Sequence, residues 1–304
     1  MRRIPQEAWL PDVAHRRVAL STGVELALLD WGGAGPLALL HHANGFCAGV
    51  WGLVAEKLRA RYRVVALDAR GHGDSSRPRG PAAYHWERFP EDVVALAEHL
   101  VGELGAPRVA LGLGHSFGGT ALLGAASRRP DLFERLVLVD PVTPPAEVDP
   151  QRRRHTSALA DGARRRAHVF ASREDARARW ARRSLFAACD PRALDLYAVH
   201  GLRERRDGRV ALKCPGAVEA AIFESASIDV FAWARGVQAP TLILWAKRGN
   251  FSRATYEKLA ASMRAGRVED VDAGHLVPLE RPDLVVALVD CGDVPPGSEL
   301  GGHS

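Results

Sequence analysis

The stretch that most limits the fold is residues 108–126, RVALGLGHSFGGTALLGAA. It opens on a run of Val, Ala and Leu, which suits a buried strand. It closes on small and aliphatic residues, which suit a closely packed helix. Only Gly114-His115-Ser116-Phe117-Gly118, a G-x-S-x-G pattern, lies between them. A chain that passes from strand to helix over so few residues forces the middle one into a strained backbone conformation. Side chains two residues either side would collide, so Gly114 and Gly118 are needed, and Gly119 and Ala121 let the helix lie close. The null alternative is a plain glycine-rich turn, but the flanking elements are the ones such a turn requires.

The rest of the chain repeats the same alternation. Runs at 24–29, 37–41, 63–67, 108–113 and 135–139 read as strands, and 49–60, 88–104 and 117–128 read as helices. Within the second helix, FPEDVVALAEHLVGEL has apolar residues at helical spacing and carboxylates in its first turn. Strands alternating with helices predict a parallel sheet covered on both faces. The pattern breaks near 142. Residues 151–210 hold 16 Arg against 7 Asp or Glu, and they read as several short helices. Alternation resumes at 240–245, 253–264, 267–271 and 281–290. The simplest organisation is a core of 1–141 and 236–304 interrupted by a helical cap at 142–235. A chain of 304 residues, 47% hydrophobic, can supply a core and such an insertion. The end, GDVPPGSELGGHS, lacks apolar periodicity, so the tail after about 291 is expected to be frayed.

The elbow points to chemistry. Ser116 would stand at a helix N-terminus, where backbone N–H groups favour developing negative charge. Serine at its ordinary pKa is a poor nucleophile, so a base must take its proton.

On this motif the chain resembles the α/β-hydrolase superfamily, in its capped, esterase-like and epoxide-hydrolase-like branch, over roughly residues 15–290. The resemblance implies a mostly parallel eight-stranded sheet with helices on both faces and a helical cap. Three further stretches carry it. LALLHHANGFCAGVW (37–51) is similar to the strand and oxyanion loop, with Asn44-Gly45-Phe46-Cys47 where the family often has His-Gly-x-Pro. That match implies the backbone N–H groups of Phe46 and Phe117 as oxyanion donors, with Asn44 and Cys47 as departures. VVALDARGHGDSS (64–76) resembles the next strand and turn, where Asp68, Arg70 and His72 are expected to brace the loop. VEDVDAGHLVPLERPD (268–283) resembles the loop after the last strand and implies His275 as the base. A serine nucleophile disfavours haloalkane dehalogenases and epoxide hydrolases, which attack through a carboxylate. It favours an acyl-enzyme on small esters, lactones, thioesters or amides, with carbon–carbon hydrolysis still open.

The third member of such a triad orients the histidine and stabilises its cation. Its usual place is the loop after the strand at 240–245, yet Ala246-Lys247-Arg248-Gly249-Asn250 holds no carboxylate. Gly249 stands at the family position. ERLVLVDPVTPP (134–145) offers Asp140 at the end of the preceding strand, and strand ends of such a sheet share one rim. Asp140 is therefore the favoured acid, against the alternative that it only caps a turn. Glu147, Asp272 and Asn250 are weaker candidates.

Charge and composition limit the partners. The net charge is +5 and the pI about 9.3. The basic residues are Arg apart from Lys57, Lys213, Lys247 and Lys258, which reads as coding bias rather than a nucleic-acid face. No stretch approaches 18 consecutive apolar residues, so no membrane span is expected. Cys47, Cys189, Cys214 and Cys291 are too scattered for a metal or a disulfide framework. A cytoplasmic enzyme with no cofactor and no metal follows as the expectation, acting on a small molecule. Nothing in the sequence fixes an oligomeric state. Trp180, Phe186, Phe223, Phe231 and Trp233 are candidate pocket linings. The Arg clusters at 152–154, 164–166 and 203–206 are either solvated faces or attract an anionic substrate. Two other classes stand beside hydrolysis: a lyase, perhydrolase or cofactor-free oxygenase on the same fold, and a catalytically silent binding protein suggested by Gly249.

Overall fold

The structure, a computed structural model, describes residues 2–143, 150–225 and 228–291. Its strands are β1 (Ala14–Ala19), β2 (Glu25–Gly32), β3 (Leu37–His41), β4 (Arg63–Leu67), β5 (Leu111–His115), β6 (Leu136–Val139), β7 (Val169–Phe170), β8 (Leu202–Glu204), β9 (Val210–Leu212), β10 (Thr241–Arg248) and β11 (Gly266–Gly274). Eight of them form one sheet in the order β1-β2-β4-β3-β5-β6-β10-β11. β2 runs antiparallel to both its neighbours and every other pair is parallel. This is the mostly parallel eight-stranded sheet that the sequence implied.

The sheet is buried on both faces, and the side-chain alternation of its strands shows it. In β3, Ala38 and Leu40 enter one apolar cluster while Leu37 and Leu39 enter the other. Helix α1 (Gly52–Leu58) and the last helix, Pro282–Cys291, cover the first face, through Val54, Leu58, Val285 and Val289. Helices α2 (Arg88–Leu104), α3 (Phe117–Arg128) and α9 (Arg253–Ala261) cover the second, through Leu96, Leu100, Leu122 and Leu259. A strand with both faces covered must be apolar throughout, which is why β3 and β4 were legible as unbroken runs.

β1 was not anticipated. It is an edge strand in which only Val18 is buried, so AHRRVA carries almost no apolar signal.

Between β6 and β10 the chain leaves the sheet. Helices α4 (Pro150–Arg165), α5 (Arg173–Trp180), α6 (Pro191–His200) and α7 (Gly216–Glu224) appear here, as expected of several short helices. A three-stranded antiparallel sheet, β7-β9-β8, was not expected; its strands are two or three residues long, too short for a period to register. Helix α8 (Val230–Gly236) packs on α3, on the sheet side.

Candidate active site

The ends of three parallel strands set the site. His115 pairs with Val139, and Val139 with Leu244, so β5 and β6 stop level with Leu244, while β10 runs on beside β11 to Arg248. The next residues, Ser116, Asp140 and Trp245, share one rim. Ser116 has φ 54° and ψ −121°, a strained conformation, and Phe117 begins α3. A Cβ on Gly114 would lie 2.7 Å from the Gly118 carbonyl carbon, so both glycines are required as the sequence argument held. A Cβ on Gly118 would also strike the His41 carbonyl oxygen, a contact with β3 that sequence alone did not give.

His275 follows β11 directly. Its Nε2 lies 2.9 Å from Ser116 Oγ and its Nδ1 2.5 Å from Asp140 Oδ2. The backbone of His275 is anchored too: His115 Nε2 lies 2.7 Å from its carbonyl oxygen, so that nitrogen donates. Burial, helped by the neighbouring His275, pushes His115 down to about 3, which leaves it a neutral donor.

Asp140 is fully buried, with φ 43°. Its N–H donates to Leu244 O at 2.8 Å, which ties it to the neighbouring strand. Its Oδ1 accepts from Ala246 N at 3.2 Å and from the Tyr256 hydroxyl at 3.1 Å. A Cβ on Gly249 would lie 2.6 Å from Asp140 Oδ2, so the two acid positions converge on one point beside His275. Asp272 instead pairs with Arg248 at the surface. Asn250 lines the nearby cavity, and Glu147 lies outside the described residues.

Phe46 and Phe117 both line a cavity of about 1110 Å³ together with Ser116, His275, Trp180 and Phe186. Phe117 N–H has no partner within its helix, because it stands at the first position. Phe46 N–H is differently placed from expectation. It closes a turn onto Ala43 O at 3.1 Å, with Gly45 at φ 82°, so it is not a free donor.

A family model described as the alpha/beta hydrolase family matches residues 38–288. The chain belongs to the alpha/beta hydrolase family. Across 93% of this alpha/beta hydrolase, it is 29% identical to N-formylmaleamate deformylase of Pseudomonas putida, covering 91% of that protein. It is 36% identical over 107 residues to an uncharacterized protein of Mycobacterium tuberculosis, of which it spans only 29% of the length. The solved structure of E-2-(acetamidomethylene)succinate hydrolase superposes with a TM-score of 0.79 at 23% identity, over 92% of this chain and 98% of that one. At that identity the likeness speaks for the fold.

Other expected residues of the alpha/beta hydrolase fall into place by packing. Asp68 accepts from Ala48 N at 2.7 Å and Asp74 N at 2.9 Å, and Arg70 grips Asp92 through two 2.6 Å bonds. His72 accepts from Gly45 N at 3.0 Å, so all three brace loops. Of the five cap aromatics, Trp180, Phe186 and Phe223 line the cavity. Phe231 and Trp233 do not; they lie against the core of the second face, beneath Lys258 and Arg128. Within the cluster at 164–166, Arg164 is paired with Glu224 at the surface, while Arg166 is buried against Glu219 at 2.8 Å. The side chains of 152–154 lie outside the described ones. Tyr256, which bonds Asp140, was missed: one tyrosine on a helix gives no sequence signal. Among the described residues no group of three or more His, Cys, Asp or Glu could hold a metal ion, Cys47, Cys189 and Cys214 are unbridged, and no helix is long and apolar enough to cross a membrane.

Proposed function

We propose that this chain is a serine hydrolase that cleaves a small ester, lactone or related carbonyl substrate through an acyl-enzyme on Ser116. The observation that carries the reading is the unbroken path from Ser116 Oγ through His275 to Asp140, at 2.9 and 2.5 Å, opening on the cavity. In the first half-reaction His275 Nε2 takes the Ser116 proton as Oγ attacks the carbonyl carbon. Asp140 holds the imidazole in the tautomer with Nδ1–H and stabilises the imidazolium that forms. Phe117 N–H receives the oxyanion, joined by Phe46 N–H when it yields or shares its bond to Ala43. The tetrahedral adduct collapses, and the leaving group departs with the proton from His275. A water, deprotonated by His275 in turn, attacks the acyl-enzyme and releases the acid and Ser116.

The names of two relatives, a deformylase of N-formylmaleamate and a hydrolase of (acetamidomethylene)succinate, bring N-acyl carbonyls and acidic substrates within the same reading. Arg183 in the cavity lining agrees with an anionic substrate, whereas Arg166 is already paired with Glu219. The location proposed is the cytoplasm, with no nucleic acid or membrane as partner. A silent binding protein loses its motive once Asp140 stands beside His275. An organophosphonate probe should label the protein once, at Ser116, and a panel of esters, lactones and N-acyl compounds should be turned over by wild type and not by Ser116→Ala. Folded protein that neither takes the label nor hydrolyses any of the panel would overturn the proposal.

A further inference from the structure

The loop that carries Phe46 is held at an unusual number of points. Gly45 is the key residue. Its N–H donates to His72 Nε2 at 3.0 Å from the core side. Its carbonyl accepts from the Tyr197 hydroxyl at 2.9 Å, from α6 in the cap. The carbonyl of Gly45 and the N–H of Phe46 belong to one peptide unit, and a trans peptide points them in opposite directions. Whatever holds the Gly45 oxygen therefore aims the Phe46 N–H, which in this structure rests on Ala43 O at 3.1 Å.

Tyr197 is itself fixed. Its ring stacks on Trp180 with centroids 4.4 Å apart and lies 4.8 Å from the Phe46 ring. The Arg166 charge stands near its hydroxyl, and Glu219 holds Arg166 at 2.8 Å. A phenol has one proton, and Tyr197 spends it on Gly45 O. Burial pushes the phenol up, so it stays a protonated donor through the working range. The same cap helix that carries Glu219 adds a second tie: Asn44 Nδ2 donates to Glu219 O at 3.1 Å. That tie accounts for asparagine where the family often has histidine. A Cβ on Gly45 would lie 2.8 Å from Glu219 Oε1, so the glycine is demanded by the cap contact as well as by its positive φ.

We infer that Tyr197 is a positioning residue for the oxyanion loop: the cap, through Tyr197 OH on Gly45 O, fixes the Gly45–Phe46 peptide, whose N–H rests on Ala43 O before it is shared with the tetrahedral intermediate. The inference rests on the acyl-enzyme reading above. Tyr197 touches neither Ser116 nor the reacting atoms; it acts through the Gly45–Phe46 peptide. A cap in this family member is then part of the catalytic frame and not only the wall of the pocket.

The test is Tyr197→Phe, which keeps the ring and removes the donor. Three quantities are measured on wild type and variant: kcat and KM for the best ester of the panel, the rate constant for phosphonate labelling of Ser116, and the melting temperature. Deleting a direct oxyanion donor costs about 10²–10³ in kcat, and a misaimed donor should cost less, about 10–100-fold. The expected result is that fall in kcat and an equal fall in the labelling rate, because the same donors receive the carbonyl oxygen of the tetrahedral intermediate and the phosphoryl oxygen of the pentacoordinate phosphorus, with KM changed less than about threefold. Para-aminophenylalanine at 197 restores a donor at the same place and should recover most of the loss, which a pure packing role would not require. Arg166→Met leaves the phenol but removes the charge near it. It should lower the same two rates by a smaller factor, and add nothing once Tyr197→Phe is present. The inference is overturned if a folded Tyr197→Phe keeps kcat and labelling within about twofold, or if its whole loss is in KM. Should Tyr197→Phe not fold, a folded Arg166→Met with unchanged kcat and labelling overturns it instead. Wild-type protein that never labels at Ser116 would sink the acyl-enzyme reading, a different failure from a labelled wild type with an unimpaired variant.

Discussion

Asp140 reaches His275 from the end of the strand next to the one whose following loop holds Gly249, and the two meet at 2.5 Å. A carboxylate is thus supplied to the histidine from one strand earlier than the family position, with its other oxygen held by Tyr256 and Ala246 N.

Asp140→Asn should preserve the fold, since an amide oxygen can still accept from Ala246 N. Its NH₂ would face His275 Nδ1, however, and impose the wrong tautomer. The expected loss in kcat is about 10³–10⁴. Steady-state kinetics with circular dichroism decide it; a folded variant within about tenfold of wild type would return Asp140 to the role of a turn residue.

Gly249→Asp alone should lower the melting temperature, because its Cβ would crowd Asp140 Oδ2 and bring a second carboxylate to a buried one. Gly249 is not among the residues of positive φ, so its backbone admits a side chain. Asp140→Ala with Gly249→Asp relieves the clash and should recover part of the rate lost in Asp140→Ala. Comparing the three variants in one assay separates crowding from chemistry.

Tyr256→Phe removes a hydroxyl whose one proton is shared between Pro141 O at 2.9 Å and Asp140 Oδ1 at 3.1 Å. A hydrogen bond to a charged oxygen contributes about 1.5–3 kcal/mol. If the Asp140 carboxylate needs it for aim, kcat should fall about tenfold with KM unchanged, as read from initial rates across substrate concentration.

Acid should destabilise the protein early. Burial holds His41 and His115 down at about 3 and His200 at about 4, and lowers His42 and His72 as well. The unfolded chain binds protons at these histidines near 6.5 while the folded chain does not. Stability is therefore complete above about pH 6.5 and falls as pH drops towards 4. Melting temperatures between pH 7.5 and 5 should show a steep decline; a flat profile would contradict the neutral, buried assignment.

The segment at 151–210 carries a surplus of nine arginines over acidic residues. If it steers anionic substrates, kcat/KM for an anionic ester should fall more with added salt than for a neutral one, as expected for attraction screened over about 8–10 Å. Equal salt slopes would leave the arginines as surface, where Arg179 and Arg192 already pair with Asp175 and Asp190.

The parts of this molecule that were legible in the sequence are those governed by local rules. The elbow around Ser116 was readable because its glycines are forced by backbone collision within five residues. Asp140 was readable because parallel strands bring their ends to one rim, which makes neighbours in the sheet interchangeable donors of a carboxylate. What escaped depends on single atoms brought from far along the chain. Tyr197 and Gly45 are 152 positions apart and joined by one hydroxyl. The turn that engages Phe46 N–H depends on Gly45, whose freedom the sequence offers without saying how it is used. β1 escaped because an edge strand with one buried residue has no pattern to read, and Phe231 and Trp233 were assigned to the pocket because an aromatic on a helix does not declare which surface it meets.

The near-contact between Gly249 and Asp140 Oδ2 also bears on descent. The two carboxylate addresses are close enough to serve one histidine and too close to be filled together. A lineage moving between them has no comfortable stage at which both acids are present. It must pass through an ancestor that is crowded or one that lacks the acid altogether. The second route is the passable one, because a serine and an oxyanion pocket without their full triad retain 10³–10⁴-fold catalysis over water. A weak but selectable ancestor with glycine or alanine at both addresses is the form of intermediate this geometry permits.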